Sequence, residues 1–156
     1  EAANLASEAI GRLERESERD PMARSQISSQ AYFESLKGSI ERRSKFVSVS
    51  VKSRVDVSIP FEIAVGLAEA TFQAVVNSLE HAPKAKTREV VMSSTRNSIK
   101  VLVIDDGPGF RMSAVPRNRL GIRVAIFERL KSLGVSTKLK TAPGGGTTWV
   151  FEWEQS

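Results

Sequence analysis

Asn77 sits one helical turn after Gln73 and one turn before His81, in a stretch whose apolar residues recur at helical spacing. Side chains so spaced share one helix face, and Glu69 extends the row by another turn. A side-chain amide oxygen such as that of Asn77 is a hard ligand suited to Mg²⁺ when it faces a cleft. The plainer reading is a surface or capping asparagine, yet Asn77 lies mid-helix between Val76 and Leu79, where asparagine is a mediocre helix former. A second group follows in Val101-Leu-Val-Ile-Asp-Asp-Gly-Pro-Gly-Phe110. A strand runs straight into Asp105, an acceptor fixed at a strand end that can take a donor such as an exocyclic amine. Gly107 and Gly109 let a flat ligand approach the backbone, or else form a tight turn whose Asp bonds its own backbone. The third group, Gly144-Gly-Gly-Thr-Thr148, reads as a flexible hairpin or as a nest of backbone amides close to a phosphate or a ring.

These residues need elements to hold them. Phe61 to His81 carries Ile63, Val65, Leu67, Ala70, Phe72, Val75, Val76 and Leu79, a long helical pattern that Pro83 stops. Strand patterns run from Phe46 to Val51, through Val55, Val57 and Ile59 up to Pro60, from Glu89 to Ser93 and from Ser98 to Ile104. A basic, irregular segment from Phe110 to Arg119 leads to a helix of about Ile122 to Leu133 capped by Gly134. A hairpin closes the chain, with Ser136 to Thr141 and Thr147 to Trp153 on either side of its turn. Hairpin-joined strands with helices on one face make an α+β two-layer sandwich. Ahead of this, residues 1–45 read as two amphipathic helices, Glu1 to Arg19 and Ile27 to Arg43, broken at Asp20-Pro21. They suit a packing arm, or the remnant of a dimerising helical stem, with residues 46–156 as the main domain.

Composition narrows the chemistry. The chain has 156 residues, 40% apolar and 26% charged, the size and balance of one soluble globular domain. It has no cysteine, which removes disulfides, thiolate zinc sites and cysteine nucleophiles and fits a cytoplasmic setting. Its one histidine, His81, rules out a multi-histidine metal site. A net charge of +5 suits nucleic acid, an anionic membrane surface or a phosphate-bearing ligand. With neither an aromatic platform nor a basic stripe, direct nucleic-acid binding is disfavoured. No apolar run is long enough to cross a membrane, and the chain opens at Glu1 without an initiator Met. It therefore reads as part of a longer protein, whose membrane attachment, if any, would lie in an upstream region.

In combination the three groups are more specific than any one of them. Their order resembles the GHKL ATPase superfamily and, within it, the catalytic ATP-binding domain of sensor histidine kinases with short ATP lids. Glu69-Ala-Thr-Phe-Gln-Ala-Val-Val-Asn-Ser-Leu-Glu-His-Ala82 is similar to the family's N box, and Ile104-Asp-Asp-Gly-Pro-Gly-Phe110 to its first glycine box. Arg119-Leu-Gly-Ile-Arg-Val124 stands where the second box belongs. The resemblance implies a mixed, largely antiparallel sheet covered by helices on one face, with ATP and Mg²⁺ as cofactors. It implies that Asn77 coordinates Mg²⁺ bridging the phosphates, with His81 on the nucleotide side, and that Asp105 accepts a hydrogen bond from the adenine amine. Gly107 and Gly109 would shape the adenine pocket, and Thr147 or Thr148 would complete its wall. Gly121, between Leu120 and Ile122, would bring a helix start to the phosphates. Arg111, Arg117 and Arg119, in or beside the lid, would neutralise phosphate charge.

Departures from the pattern bear on activity. Gln73 stands where relatives often carry a general-base Glu; an amide takes no proton at neutral pH, so Glu69 is the substitute candidate. Glu80 replaces a common cation, and Arg119 replaces a glycine. No Arg-x-x-His-Asp-like segment occurs in residues 1–45, so a phosphoacceptor histidine would lie outside this chain. The resemblance thus implies transfer of the ATP γ-phosphoryl to a histidine on a dimerising helical domain and then to a response regulator. The alternatives are a degenerate ATP-binding regulatory module, motivated by Gln73, Glu80 and Arg119, and a serine kinase of the anti-sigma-factor type.

Overall fold

The computed structural model describes residues 7–9, 11–12, 26–52, 55–111 and 127–156. In chain order the elements are β1 (Gln26–Ser28), α1 (Ser29–Arg43), β2 (Ser48–Val51), β3 (Ser58–Pro60), α2 (Phe61–His81), β4 (Arg88–Ser94), β5 (Ser98–Asp105), β6 (Val135–Thr141) and β7 (Thr147–Glu154). Residues 7–9, 11–12 and 127–132 are also helical.

Alternation in the strands decides which way the main sheet faces. Val90 and Met92 of β4, Ile99, Val101 and Val103 of β5, and Trp149, Phe151 and Trp153 of β7 are buried on one side. The other side of β5 and β7 carries Lys100 and Glu152, which face each other in register and form an ion pair at 3.1 Å. The strand order is β2-β4-β5-β7-β6; β2 runs parallel to β4 and every other neighbouring pair is antiparallel. The expected mixed, largely antiparallel sheet is therefore present. Its apolar face shares one core with Leu67 and Phe72 of α2 and with Tyr32, Phe33, Leu36 and Ile40 of α1. Truncating one of these large side chains to alanine costs about 2–5 kcal/mol, as transfer and cavity terms add.

The segment 127–132 lies on the same face. Phe127 stacks obliquely on Trp149 with ring centroids 5.5 Å apart, and Leu130 is buried. Gly134, in the left-handed region at φ 79°, ends this helical turn as expected from sequence. Among the described residues, no helix is long and apolar enough to cross a membrane.

α2 spans the residues expected of it. Its buried positions include Ile63, Ala64, Leu67, Ala68, Thr71, Ala74, Val75 and Ser78, a stripe of helical period. Glu62 in the first turn complements the helix dipole. Tyr32 donates from its phenol to the Ala64 carbonyl at 2.6 Å, and burial pushes its pKa well above the ordinary value.

The start of α1 differs from the sequence expectation. Ile27 was expected to open the helix, but Gln26–Ser28 form a strand antiparallel to β3, with Ile27 opposite Ile59, and the helix begins at Ser29. The alternating run through Val55 and Val57 likewise pairs only over Ser58–Pro60, and with β1 rather than the main sheet. The reason is a cap. The Ser28 Oγ accepts from the Ala31 N–H, and Asp56 accepts from the Ser28 hydroxyl at 2.8 Å, the Ser29 hydroxyl at 3.1 Å and the Gln30 N–H at 3.2 Å. Ser29 and Val57 also exchange bonds, backbone N–H to carbonyl and backbone N–H to hydroxyl, each at 2.9 Å.

Partial desolvation would raise the Asp56 pKa, but the bonds from Gln30, Ser28 and Ser29 outweigh it and hold the carboxyl below its usual value of 3.8. A depressed folded-state pKa stabilises above the unfolded value and is lost as pH falls through the folded one. Asp56→Ala should therefore destabilise by about 1 kcal/mol at pH 7, the size of a lost helix cap. That difference should shrink toward zero in urea denaturation series carried below the usual carboxylate range. A deficit equally large at acid and neutral pH would contradict this origin.

Candidate functional site

Asp105 is the last residue of β5 and lies on the inward face, beside the C-terminal turn of α2; it is 7% exposed. A carboxylate so buried needs donors. Its Oδ2 accepts from the Ser78 hydroxyl at 2.8 Å, and its Oδ1 accepts from the Gly107 N–H at 3.0 Å. Ser78 in turn accepts from Arg88 Nε at 2.8 Å. Arg88 opens β4, directly opposite Asp105 in the ladder, and is 5% exposed. Its remaining donors reach the carbonyls of Ser78, Ala82 and Phe46, tying the end of α2 to the chain leading into β2. Arg88 thus adds a second donor to the Ser78 and Ala82 carbonyls, which also accept from the Ala82 and Ala85 N–H groups, at a helix C-terminus where a cation is favoured by the dipole.

Asn77 precedes Ser78 and is half-buried, as is Gln73 one turn earlier. The Gln73 side-chain amide donates to Asn77 Oδ1 at 3.1 Å, so the two residues expected on one face do meet. His81 and Glu80 are exposed at the end of the same helix. Glu69 is engaged by Arg129 of the segment 127–132 at 2.6 Å, an ion pair with both side chains partly exposed.

Two turns close around Asp105. Asp106 Oδ1 accepts from the Thr87 N–H at 3.0 Å, and that backbone bond chiefly holds the Asp106 carboxyl below its ordinary pKa. The turn after β5 is fastened to the β6–β7 turn by Gly144 N–H to the Pro108 carbonyl at 2.7 Å and by Phe110 N–H to Thr141 Oγ1 at 3.1 Å. Thr141 Oγ1 also donates to the Gly146 carbonyl at 3.0 Å. Gly109 has φ 62°, and a Cβ there would stand 2.1 Å from the Ala142 carbonyl oxygen. A Cβ at Gly107 would stand 2.4 Å from that of Ala82. Both glycines are therefore required by close approach of protein to protein.

Register sorts the two threonines. Thr147 pairs with Asp105 and shares its inward face, whereas Thr148 pairs with Ile104 on the opposite face. Arg111 is exposed at the edge of the described residues; Arg117, Arg119, Leu120, Gly121 and Ile122 lie outside them. Sequence reasoning missed Ser78 and Arg88. The available signal was a small polar residue on the buried stripe of α2 and an arginine opposite the key aspartate in a hairpin ladder. A cleft lined by Gln26, Pro60, Glu62, Leu133, Trp153 and Ser156 lies at the other end of α2, away from Asp105.

The donor set fits a purine nucleotide with a metal. Each Asp105 oxygen has one protein donor and a further lone pair for an incoming amine. Among the described residues no cluster of His, Cys, Asp or Glu could cage an ion. Mg²⁺ bound through one side-chain oxygen, phosphates and water needs no such cage.

The sequence profile of the family described as histidine kinase-, DNA gyrase B- and HSP90-like ATPases matches residues 62–156. The chain belongs to this family. The match takes in α2 from Glu62 onward, both glycine turns and the last hairpin. Solved structures share the fold. The histidine kinase domain of the EL346 blue-light activated histidine kinase from Erythrobacter litoralis superposes with a TM-score of 0.73, at 21% identity, over 99% of this chain and 75% of that one. The chain spans 53% of the longer EL346 structure. The ATP binding domain of PrrB from Mycobacterium tuberculosis gives 0.59 at 17% identity, over 84% and 96% of the two chains. The histidine kinase domain of the E. coli osmosensor EnvZ gives 0.61 at 13% identity, over 85% and 89%. A comparison with curated proteins finds no match.

The tight fit at Gly107 has a consequence for stability. Gly107→Ala should destabilise by about 1–3 kcal/mol in urea denaturation, as overpacking does. Adding Ala82→Gly, which removes the colliding methyl, should recover part of the loss. A single variant as stable as wild type would contradict the packing described.

Proposed function

We propose that the chain is the ATP-binding catalytic domain of a sensor histidine kinase, which transfers the γ-phosphoryl of MgATP to a histidine outside this chain and thence to a response-regulator aspartate. The observation that carries this reading is the pairing of a buried, fully oriented Asp105 with a half-buried Asn77 from the adjoining turn of α2, in a domain of an ATPase family. Asp105 would accept from the adenine amine, Thr147 lines the same face, and Asn77 Oδ1 would supply one oxygen ligand to Mg²⁺. Arg111 begins a basic segment whose charge suits phosphate.

Glu69 and Gln73 bear on the choice between transfer and hydrolysis. Gln73 cannot take a proton at neutral pH; its amide holds Asn77 instead. Glu69 is held by Arg129. Among the described residues of this helix face neither group is placed as a strong base for water. Phosphoryl transfer depends mainly on positioning and charge, and the acceptor's partner can supply what base is needed. The expected chemistry is slow intrinsic hydrolysis with transfer to an incoming imidazole.

Calorimetric titration should show MgATP binding to the wild-type chain. Asp105→Asn should weaken it by roughly tenfold or more, the scale of a hydrogen bond to a charged group. Asn77→Ala should abolish the part of the affinity that depends on Mg²⁺. Incubation with MgATP and a separately produced histidine-bearing helical domain should yield acid-labile phosphate on that domain. Tight MgATP binding without transfer to any such domain would instead favour a regulatory ATP-binding module.

A further inference from the structure

We propose that β2 is a pairing edge, along which a second copy of this chain adds its own β2 antiparallel about a two-fold axis, joining the two five-stranded sheets into one. The inference stands apart from the nucleotide-site reading above.

The five-stranded sheet has two edges, β2 and β6, and they differ. An open edge presents unpaired backbone groups, and lysines on an edge strand keep other strands away. β6 carries Lys138 and Lys140, both exposed. β2 reads Ser48-Val-Ser-Val51 and carries no charge. Among the described residues the large apolar side chains that stand exposed are Phe46, at 78%, Val51 and Val55, and all three lie in β2 or close to it in sequence. The backbone at Phe46 is fixed: its N–H donates to Ser44 Oγ at 3.1 Å, and its carbonyl accepts from the buried Arg88 at 3.4 Å.

Register makes this edge self-complementary. Parallel pairing with β4 sets Ser50 opposite Val91, and the Lys52 N–H donates to the Met92 carbonyl at 2.9 Å. Backbone groups alternate in direction along a strand, so Ser48, Ser50 and Lys52 turn theirs to β4, while Val49 and Val51 turn theirs to the open edge. Antiparallel pairing centred on Ser50 sets Val49 of each copy opposite Val51 of the other, and the two exchange both N–H···O bonds. The side chains of Val49 and Val51 share one face of the strand; Val49 is buried in the core and Val51 stands exposed at its margin. Pairing brings Val51 against the second copy's Val49 and continues the apolar core across the axis.

The antiparallel direction also suits the charges. Arg42, Arg43 and Lys45 are exposed just before the strand, and Lys52 follows it. Parallel pairing would lay these like charges side by side. The antiparallel pair sets Lys52 opposite an uncharged Ser48 and turns the basic run 42–45 toward the second copy's chain leading to Asp56. It also brings the exposed Phe46 of one copy and the exposed Val55 of the other to the same end of the pair.

The test is sedimentation equilibrium of the full chain from micromolar to millimolar concentration, with amide hydrogen exchange measured at both ends of that range. The mass should rise from one chain toward two. The Val49 and Val51 amides should exchange more slowly in the concentrated sample, with those of Ser50 and Lys52, already turned to β4, unchanged. Val51→Pro removes an outward donor where an edge strand tolerates proline. It should weaken dimerisation roughly tenfold or more, because the loss of a hydrogen bond counts twice across the axis. Val51→Lys should act in the same direction and carries the test if the proline variant does not fold; Lys138→Ala, on the other edge, should leave the dimer as it is. A chain that stays monomeric throughout would overturn the proposal, and so would a dimer indifferent to both changes at Val51. Val49 and Val51 amides equally protected at every concentration would mean that the chain's own residues cover the edge, which overturns it too.

Discussion

A carboxylate 7% exposed at the end of a strand survives only if its oxygens are hydrogen-bonded, and much of the candidate site is arranged around satisfying Asp105. The donors come from two directions: a hydroxyl on the last turn of α2 and a backbone N–H two residues further along the chain. For the hydroxyl to reach, the end of α2 must be held against β4 and β5, and Arg88 does this by bonding the serine and two carbonyls of that turn. For the backbone N–H to reach, the turn after β5 must fold tightly under Ala82, which leaves no room for a side chain at position 107. The bonds that orient Asp105 and those that pack the helix end are here one set of contacts.

The second constraint is the meeting of two turns. The turn after β5 and the one between β6 and β7 touch through backbone, with Gly109 against the Ala142 carbonyl and Thr141 bonding both the Phe110 N–H and the Gly146 carbonyl. Beneath them the apolar sheet face is continuous from Val103 to Trp149 and Phe151, which gives the turns a rigid base. The glycines that suggest a phosphate or ring contact in the sequence are thus also demanded by the protein's own packing.

Much of this was legible in the sequence because local pattern and tertiary environment agree. α2 runs from Phe61 to His81 as its period and Pro83 require, and the β5 strand ends at the aspartate that the Gly-Pro-Gly turn follows. The helix face of Gln73 and Asn77 was readable from spacing alone, and their amides do bond. What sequence could not show depends on contacts between residues far apart. Ile27 joins a strand because Ile59 lies opposite it and Asp56 caps the helix that follows. Arg88 looks like a solvated strand end until its burial under α2 is seen. Which of Thr147 and Thr148 faces Asp105 is a matter of register, set by the pairing of β5 with β7.

The central claim, that Asp105 and Asn77 form one nucleotide site, is most directly tested by amide chemical-shift mapping of the labelled chain during titration with MgATP. The Gly107 N–H, the Arg88 Nε–H and the Asn77 side-chain amide should move together and saturate at one concentration, with the Asn77 signals responding less when Mg²⁺ is omitted. Saturable binding that leaves all three unmoved, or no binding at all, would contradict it.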